Sequence, residues 1–253
     1  GRSLQNWLSA SATRGVEMQR YTPLDQDELV FIKDYGGRWL DLAGDLIDRK
    51  KPRWFMGVRG ITNNTNERTF IGGIFPKSGA GNSVHTWMMP TPNNNGLAAA
   101  ICANLSTITL DYVARQKVGG TNLNFFYVEQ FPFLCQEQYE KADLNFLKRN
   151  VLELTYTSNA MRPWAEDLGY TGAPFAFDAD RRAELRAQLD AFFAKKYGLS
   201  REELRYILDP QDVKGADYPS ETFAVLKRRE INQFGEYRTQ RLVLEAFDRM
   251  TGG

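Results

Sequence analysis

The hydrophobic rhythm of this chain changes part-way along, and that change restricts its fold more than any other feature. From residue 51 to about 135 the apolar residues come in short runs bounded by Gly, Pro, Asn or Ser: Trp54–Val58, Thr69–Phe75 and Val84–Met88. Such runs read as three β-strands. From about residue 136 the spacing becomes helical, with Leu185, Leu189, Phe192 and Phe193 on one stripe. Short strands followed by a succession of helices define an α+β fold. The expected architecture is a small β-rich unit with a packed helix, then a mainly helical unit. The boundaries fall at residues 1–50 for an N-terminal connecting segment, 51–135 for the β-rich unit and 136–253 for the helical unit.

Local signals place the helices. Within the first zone, the apolar run Leu29–Ile32 and a helix over Trp39 to Ile47 are the readable features. Leu97 to Val113 lacks a breaker and reads as one largely buried helix of about four turns. Asp178 and Asp180 open a helix that Gly198 closes. Ser200 with Glu203 three residues on has capping-box spacing, and Pro210 ends the helix that follows. Glu221 to Glu230 and Gly235 to Met250 supply the last two, Leu242, Val243 and Phe247 forming the core face of the final one.

Composition removes several classes. At 253 residues, 42% hydrophobic and 25% charged, the chain can bury a real core and is neither disordered nor a solenoid. Two cysteines, Cys102 and Cys135, outside any C-x-x-C pair, argue against a disulfide scaffold or thiolate zinc site and fit a reducing cytoplasm. No apolar stretch approaches the roughly eighteen residues of a membrane span, so no membrane partner is expected.

Catalytic signatures are sparse. His85 is the sole histidine, and no G-x-S-x-G elbow accompanies it, which leaves a Ser-His-Asp hydrolase without support. No metal is expected. The loop Ser78-Gly79-Ala80-Gly81-Asn82 follows a strand but precedes another strand-like segment, so it reads as a hairpin connection, not a phosphate cradle. Asp41, Asp45 and Asp48 fit an amphipathic helix face better than a nuclease centre. Asp178, Asp180 and Glu184 read as charge complementing a helix N-terminus.

The whole chain is nearly neutral, at +1, yet Lys51 to Thr121 carries seven positive residues against Glu67 and Asp111, a local +5 that leaves −4 elsewhere. Within this zone lies Arg59-Gly60-Ile61-Thr62-Asn63-Asn64-Thr65-Asn66-Glu67-Arg68-Thr69, a polar turn between apolar strands. Asn side chains can meet an adenine edge with a donor and an acceptor together, and Arg can clasp guanine or phosphate bidentately. Local Asn and Thr hydrogen bonds within a surface turn account for the same composition.

The run Arg59-Gly60-Ile61 through Asn66-Glu67-Arg68-Thr69-Phe70-Ile71, with Pro76 and the Gly-Asn loop, resembles the region after the catalytic domain in adenine-specific DNA methyltransferases of the restriction-modification and phage-defence type. A second block, Leu110 to Leu123 and then Phe125-Phe126-Tyr127-Val128-Glu129-Gln130-Phe131-Pro132, is similar to the helix, glycine turn and "QLP" signature of that target-recognition region, with Phe131 where Leu is usual. Val151–Thr157, Tyr197–Glu203 and Phe234–Thr239 resemble its helical C-terminal part.

The family's catalytic tetrapeptide, in which Pro-Pro precedes an aromatic, and its S-adenosylmethionine loop are both missing, and the chain contains no Pro-Pro dipeptide. The resemblance therefore implies a DNA-binding target-recognition portion without catalytic residues or cofactor of its own. Its partners would be double-stranded DNA and the N-terminal methyltransferase domain of a parent chain that uses S-adenosylmethionine. Arg53, Arg59, Arg68, Lys77, Arg115 and Lys117 are the expected phosphate contacts, and Asn63, Asn64, Asn66 and Asn122 the expected groove contacts. Glu67 pairing with Arg68 or Arg59 to brace the turn is an equal expectation. The competing class is a protein-interaction or structural module of a defence complex.

Overall fold

The computed structural model describes residues 26–38, 41–42, 44–46, 52–81, 83–87, 95–218 and 222–252. The chain divides into two compact units, Gly1–Arg53 and Trp54–Gly253. In the first, helix α1 spans Gln26–Lys33 and takes up the Leu29–Ile32 run. Within the span expected as a helix, Trp39 to Ile47, residues 42 and 44–46 are helical, and residues 39, 40, 43 and 47 lie outside the described residues.

The second unit begins with three strands, β1 Trp54–Arg59, β2 Gly72–Pro76 and β3 Val84–Trp87. Alternation along β1 buries Trp54, Met56 and Val58, as a half-buried strand requires. The sheet order is β2-β1-β3, with β1 antiparallel to both neighbours. This corrects the hairpin expected at residues 78–82: β2 and β3 lie on opposite edges of β1, and the glycine-containing loop carries the chain across. β2 also starts three residues later than its apolar run. The Thr69 and Phe70 N–H groups both donate to Asp111 Oδ1, at 2.8 and 2.6 Å, and so are withdrawn from any ladder.

The single helix expected over Leu97 to Val113 is two, α2 Asn95–Leu105 and α3 Ile108–Lys117, bent by 57°. Ser106 Oγ donates back to the Cys102 carbonyl, and Thr107 caps α3 by accepting the Leu110 N–H. A Ser-Thr pair inside an apolar run thus offers the backbone an alternative to helix continuation. The remaining helices are α4 Phe125–Val128, α5 Lys141–Thr155, α6 Arg162–Asp167, α7 Ala179–Lys196, α8 Arg201–Leu208, α9 Pro210–Lys214, α10 Ala224–Phe234 and α11 Arg238–Thr251. Asp178 caps α7, and the Ser200/Glu203 box caps α8. Pro210 both ends α8 and opens α9 at its first turn.

One apolar cluster joins Trp54, Met56 and Val58 of the sheet to Ala98–Ala100 of α2, Leu147 and Val151 of α5, Trp164 of α6, and Leu189 and Phe193 of α7. The sheet and the helices from 136 onward thus share a core, with Trp54 edge-on to Trp164 at 4.6 Å. Trp54 also donates its indole N–H to Asp167 Oδ2 at 2.8 Å, satisfying the polar end of a buried ring. A second cluster lies on another side of α7, where Ala187, Ala191 and Ala194 meet Leu204, Phe223, Val243 and Phe247. Small residues on that side allow the close approach of α11. Among the described residues, no single helix is long and apolar enough to cross a membrane.

Candidate functional site: a braced polar turn and an arginine-lined cavity

The turn between β1 and β2 is held from beneath by the Asp111–Arg115 ion pair. Asp111 and Arg115 are one helical turn apart on α3, with Nε to Oδ2 at 3.1 Å and both side chains buried. Arg115 Nη1 donates to the carbonyls of Asn64 (2.7 Å) and Thr222 (3.0 Å), and Nη2 to those of Asn66 and Glu67 (both 2.7 Å). With the Asp111 contact, these bonds match the five N–H donors of a guanidinium. The group also lies 4.5 Å from the Phe223 ring centroid. Burial pulls its pKa down, and the Asp111 carboxylate opposes that pull.

Arg115 is therefore not a phosphate contact: its donors are consumed inside the fold, and it fixes the backbone of the turn. The expected bracing pair of Glu67 with Arg68 or Arg59 is likewise replaced. Glu67 pairs instead with Arg229 on α10, at 2.6 Å.

The turn's own polar groups complete the brace. Asn63 Oδ1 accepts from both the N–H and the hydroxyl of Thr65, at 2.8 and 2.9 Å. Buried Thr62 donates to the Thr69 carbonyl. A second segment closes one side, since Thr62 N–H meets Thr121 O, Leu123 N–H meets Gly60 O, and Asn122 bridges to Ile61.

The remaining expected residues do not form one patch. Arg59, Asn64 and Asn122 are exposed at the turn end of the sheet, with Asn63 and Asn66 partly covered. Lys117 is half-buried and donates to Gln130 Oε1 at 3.0 Å. Lys77 is exposed at the opposite end of the sheet, just after Pro76, which pairs with Trp54 at the start of β1. A six-residue strand separates these ends by roughly 17–20 Å. Arg53 is exposed and belongs to the N-terminal unit.

Arg68 leads to a feature not anticipated from sequence. It turns inward over the Phe223 ring, at 5.7 Å, and lines an open cavity of about 880 Å³. Among the described residues six arginines line this cavity, Arg59, Arg68, Arg182, Arg186, Arg229 and Arg238, against three carboxylates, Glu67, Asp190 and Glu230. Its apolar wall includes Phe70, Cys102, Val151, Leu189 and Leu226. The Cys102 thiol is pushed up to about 12 by burial and is unreactive there.

The carboxylates are largely occupied. Glu67 holds Arg229, and Glu230 accepts the Thr239 N–H and hydroxyl at 2.7 and 2.6 Å. Asp190 accepts the Ile108 N–H at 2.7 Å, and burial pushes its pKa up to about 6 despite the nearby Arg68 and Arg186 charges. Arg186 keeps solvent contact through the cavity, yet desolvation and the like charges of Arg182 and Arg68 lower its pKa.

One signal for these arginines was present in sequence: Arg182 and Arg186 stand at i, i+4 on α7, on a helix that also carries buried Leu185 and Leu189. The negative sum of the C-terminal zone hid it, because charge totals average over faces that point in different directions. Compared with family models, with curated proteins and with solved structures, the chain matches none.

Proposed function

We propose that this chain recognises double-stranded DNA as the target-recognition portion of an adenine-specific, S-adenosylmethionine-dependent methyltransferase of a restriction-modification or phage-defence system. The methyltransfer chemistry belongs to a domain outside these residues. The supporting observation is the amide-rich turn at residues 63–66, presented at the sheet end while Arg115 and Asp111 immobilise its backbone from below. A groove reader needs amides held in register by a rigid scaffold, because each bidentate base contact depends on fixed geometry.

In this reading Asn64 and Asn122 are the leading groove contacts, with Asn63 and Asn66 beside them. Asn63 offers only its remaining amide donors, its oxygen being committed to Thr65. Arg59 and Lys117 steady the backbone from the same end. Lys77 reaches only a duplex that continues along the sheet, and Arg53 belongs to the other unit. The loss of Arg115 and the inward turn of Arg68 reduce the number of phosphates that can be gripped.

Titration of a labelled duplex at rising salt tests the proposal. With two or three phosphates neutralised, the log-log slope should lie between about −1.8 and −2.7. A flat profile would remove DNA from the account and leave the interaction-module reading.

A further inference from the structure

We infer that the arginine-lined cavity of the second unit is a binding site for a small organic oxyanion of nucleotide size, phosphorylated or similarly multiply charged, held by Arg68 and Arg186 against an apolar wall. The inference does not rest on the DNA reading. Four observations carry it.

First, among the described residues the cations that line the cavity outnumber the carboxylates that line it by three; Glu67 and Glu230 are engaged, Asp190 accepts one N–H through Oδ1, and Arg238 is paired with Asp180. Second, Arg68 Nη1 is sealed from solvent and has no hydrogen-bond partner among the described residues. A charged donor that has lost water without gaining an acceptor is costly to keep, and rotation of the side chain toward an oxyanion in the cavity would give it one. Third, among the described residues no lysine lines the cavity. Planar guanidinium forks match phosphate and carboxylate oxygens bidentately, whereas ammonium groups would offer point charges. Fourth, a volume of about 880 Å³ far exceeds one inorganic anion, and Phe70, Cys102, Val151 and Leu226 give the rest of the ligand an apolar surface. Cavities of this size, mostly apolar with a few convergent polar groups, are typical of small-molecule sites.

The comparison with Arg115 makes the point chemically. That guanidinium is more deeply enclosed and has an acceptor for each donor, so it needs no ligand. Arg68 and Arg186 lie close enough to repel one another; the Asp190 and Glu67 carboxylates offset part of that repulsion, and further negative charge placed between the two cations offsets more.

The test is calorimetric titration of the full 253-residue chain with sulfate, pyrophosphate and a nucleoside triphosphate, repeated for Arg68→Gln, Arg186→Gln and the surface control Arg241→Gln. Thermal melts confirm that each variant folds, and Arg186→Gln carries the test should Arg68→Gln fail to. Saturable binding is expected, tightest for the nucleoside triphosphate and weakest for sulfate. It should weaken by about tenfold or more in either cavity variant and stay unchanged in Arg241→Gln. Three results would overturn the inference: no saturable heat with any probe, equal affinity in the cavity variants, or stoichiometric displacement of the nucleotide by duplex DNA, which would assign these arginines to the DNA surface.

Discussion

Two groups of arginines meet at Phe223, and they are opposites. Arg115 meets a carboxylate and four carbonyls, so its charge is spent on holding the turn. In the cavity, Arg68 Nη1 is sealed without a partner among the described residues. Both sites place guanidinium against the same aromatic ring, at 4.5 and 5.7 Å. A buried cation, by itself, therefore says little about role. The inventory of acceptors around it distinguishes a brace from a receptor.

The largest expected effect lies on the brace. Arg115→Met leaves Asp111 buried without its cation and frees four carbonyls, and breaking such a pair costs about 3–5 kcal/mol. Urea unfolding should register that loss as a lower midpoint, and hydrogen exchange should quicken at the Thr69 and Phe70 amides, which depend on Asp111.

Next comes Asp190, whose response to pH runs against that of an ordinary paired carboxylate. Its folded pKa is raised, from 3.8 to about 6, so its contribution favours folding most below the lower value and is lost as pH rises through the upper one. Asp190→Asn retains an oxygen for the Ile108 N–H and has no charge to bury. At about pH 8 the variant should be more stable than the natural chain, by at most about 3 kcal/mol, and the difference should vanish near pH 4. A variant that is less stable at high pH would mean that attraction to Arg68 and Arg186 outweighs desolvation. Sulfate, whose charge is constant across this range, should bind the natural chain more tightly below about pH 6 and the variant without that dependence.

The smallest effect on folding belongs to the exposed amides. Asn64→Ala and Asn122→Ala should alter stability by no more than about 0.5 kcal/mol. Duplex affinity should nonetheless fall by about 1–3 kcal/mol for each position that reads a base. Equal duplex affinity in both variants would restrict the turn to a structural part.

The α+β class was legible because strand and helix periods differ, and the caps at Asp178 and Ser200 were legible because they are local. What could not be read was long-range. β1 takes both neighbours, a pairing set by tertiary packing and invisible in the glycines of the connecting loop. The bend at Ser106–Thr107 depends on hydroxyl bonds inside an otherwise apolar run, helped by Asp190 accepting the Ile108 N–H from 82 residues away. The turn's polar composition was evident, and so was the i, i+4 spacing of Asp111 and Arg115. That the pair faces inward beneath the turn depends on Phe223 and Thr222, more than 100 residues later. The cavity was hidden for the same reason, since its arginines come from the turn and three separate helical segments.

The most direct measurement is urea unfolding of Arg115→Met beside Arg68→Met, without added anions and at one pH. Removing the satisfied guanidinium should destabilise the chain by about 3–5 kcal/mol, while removing the unmatched one should leave stability unchanged or raise it. Equal losses from the two variants would contradict the division between brace and receptor.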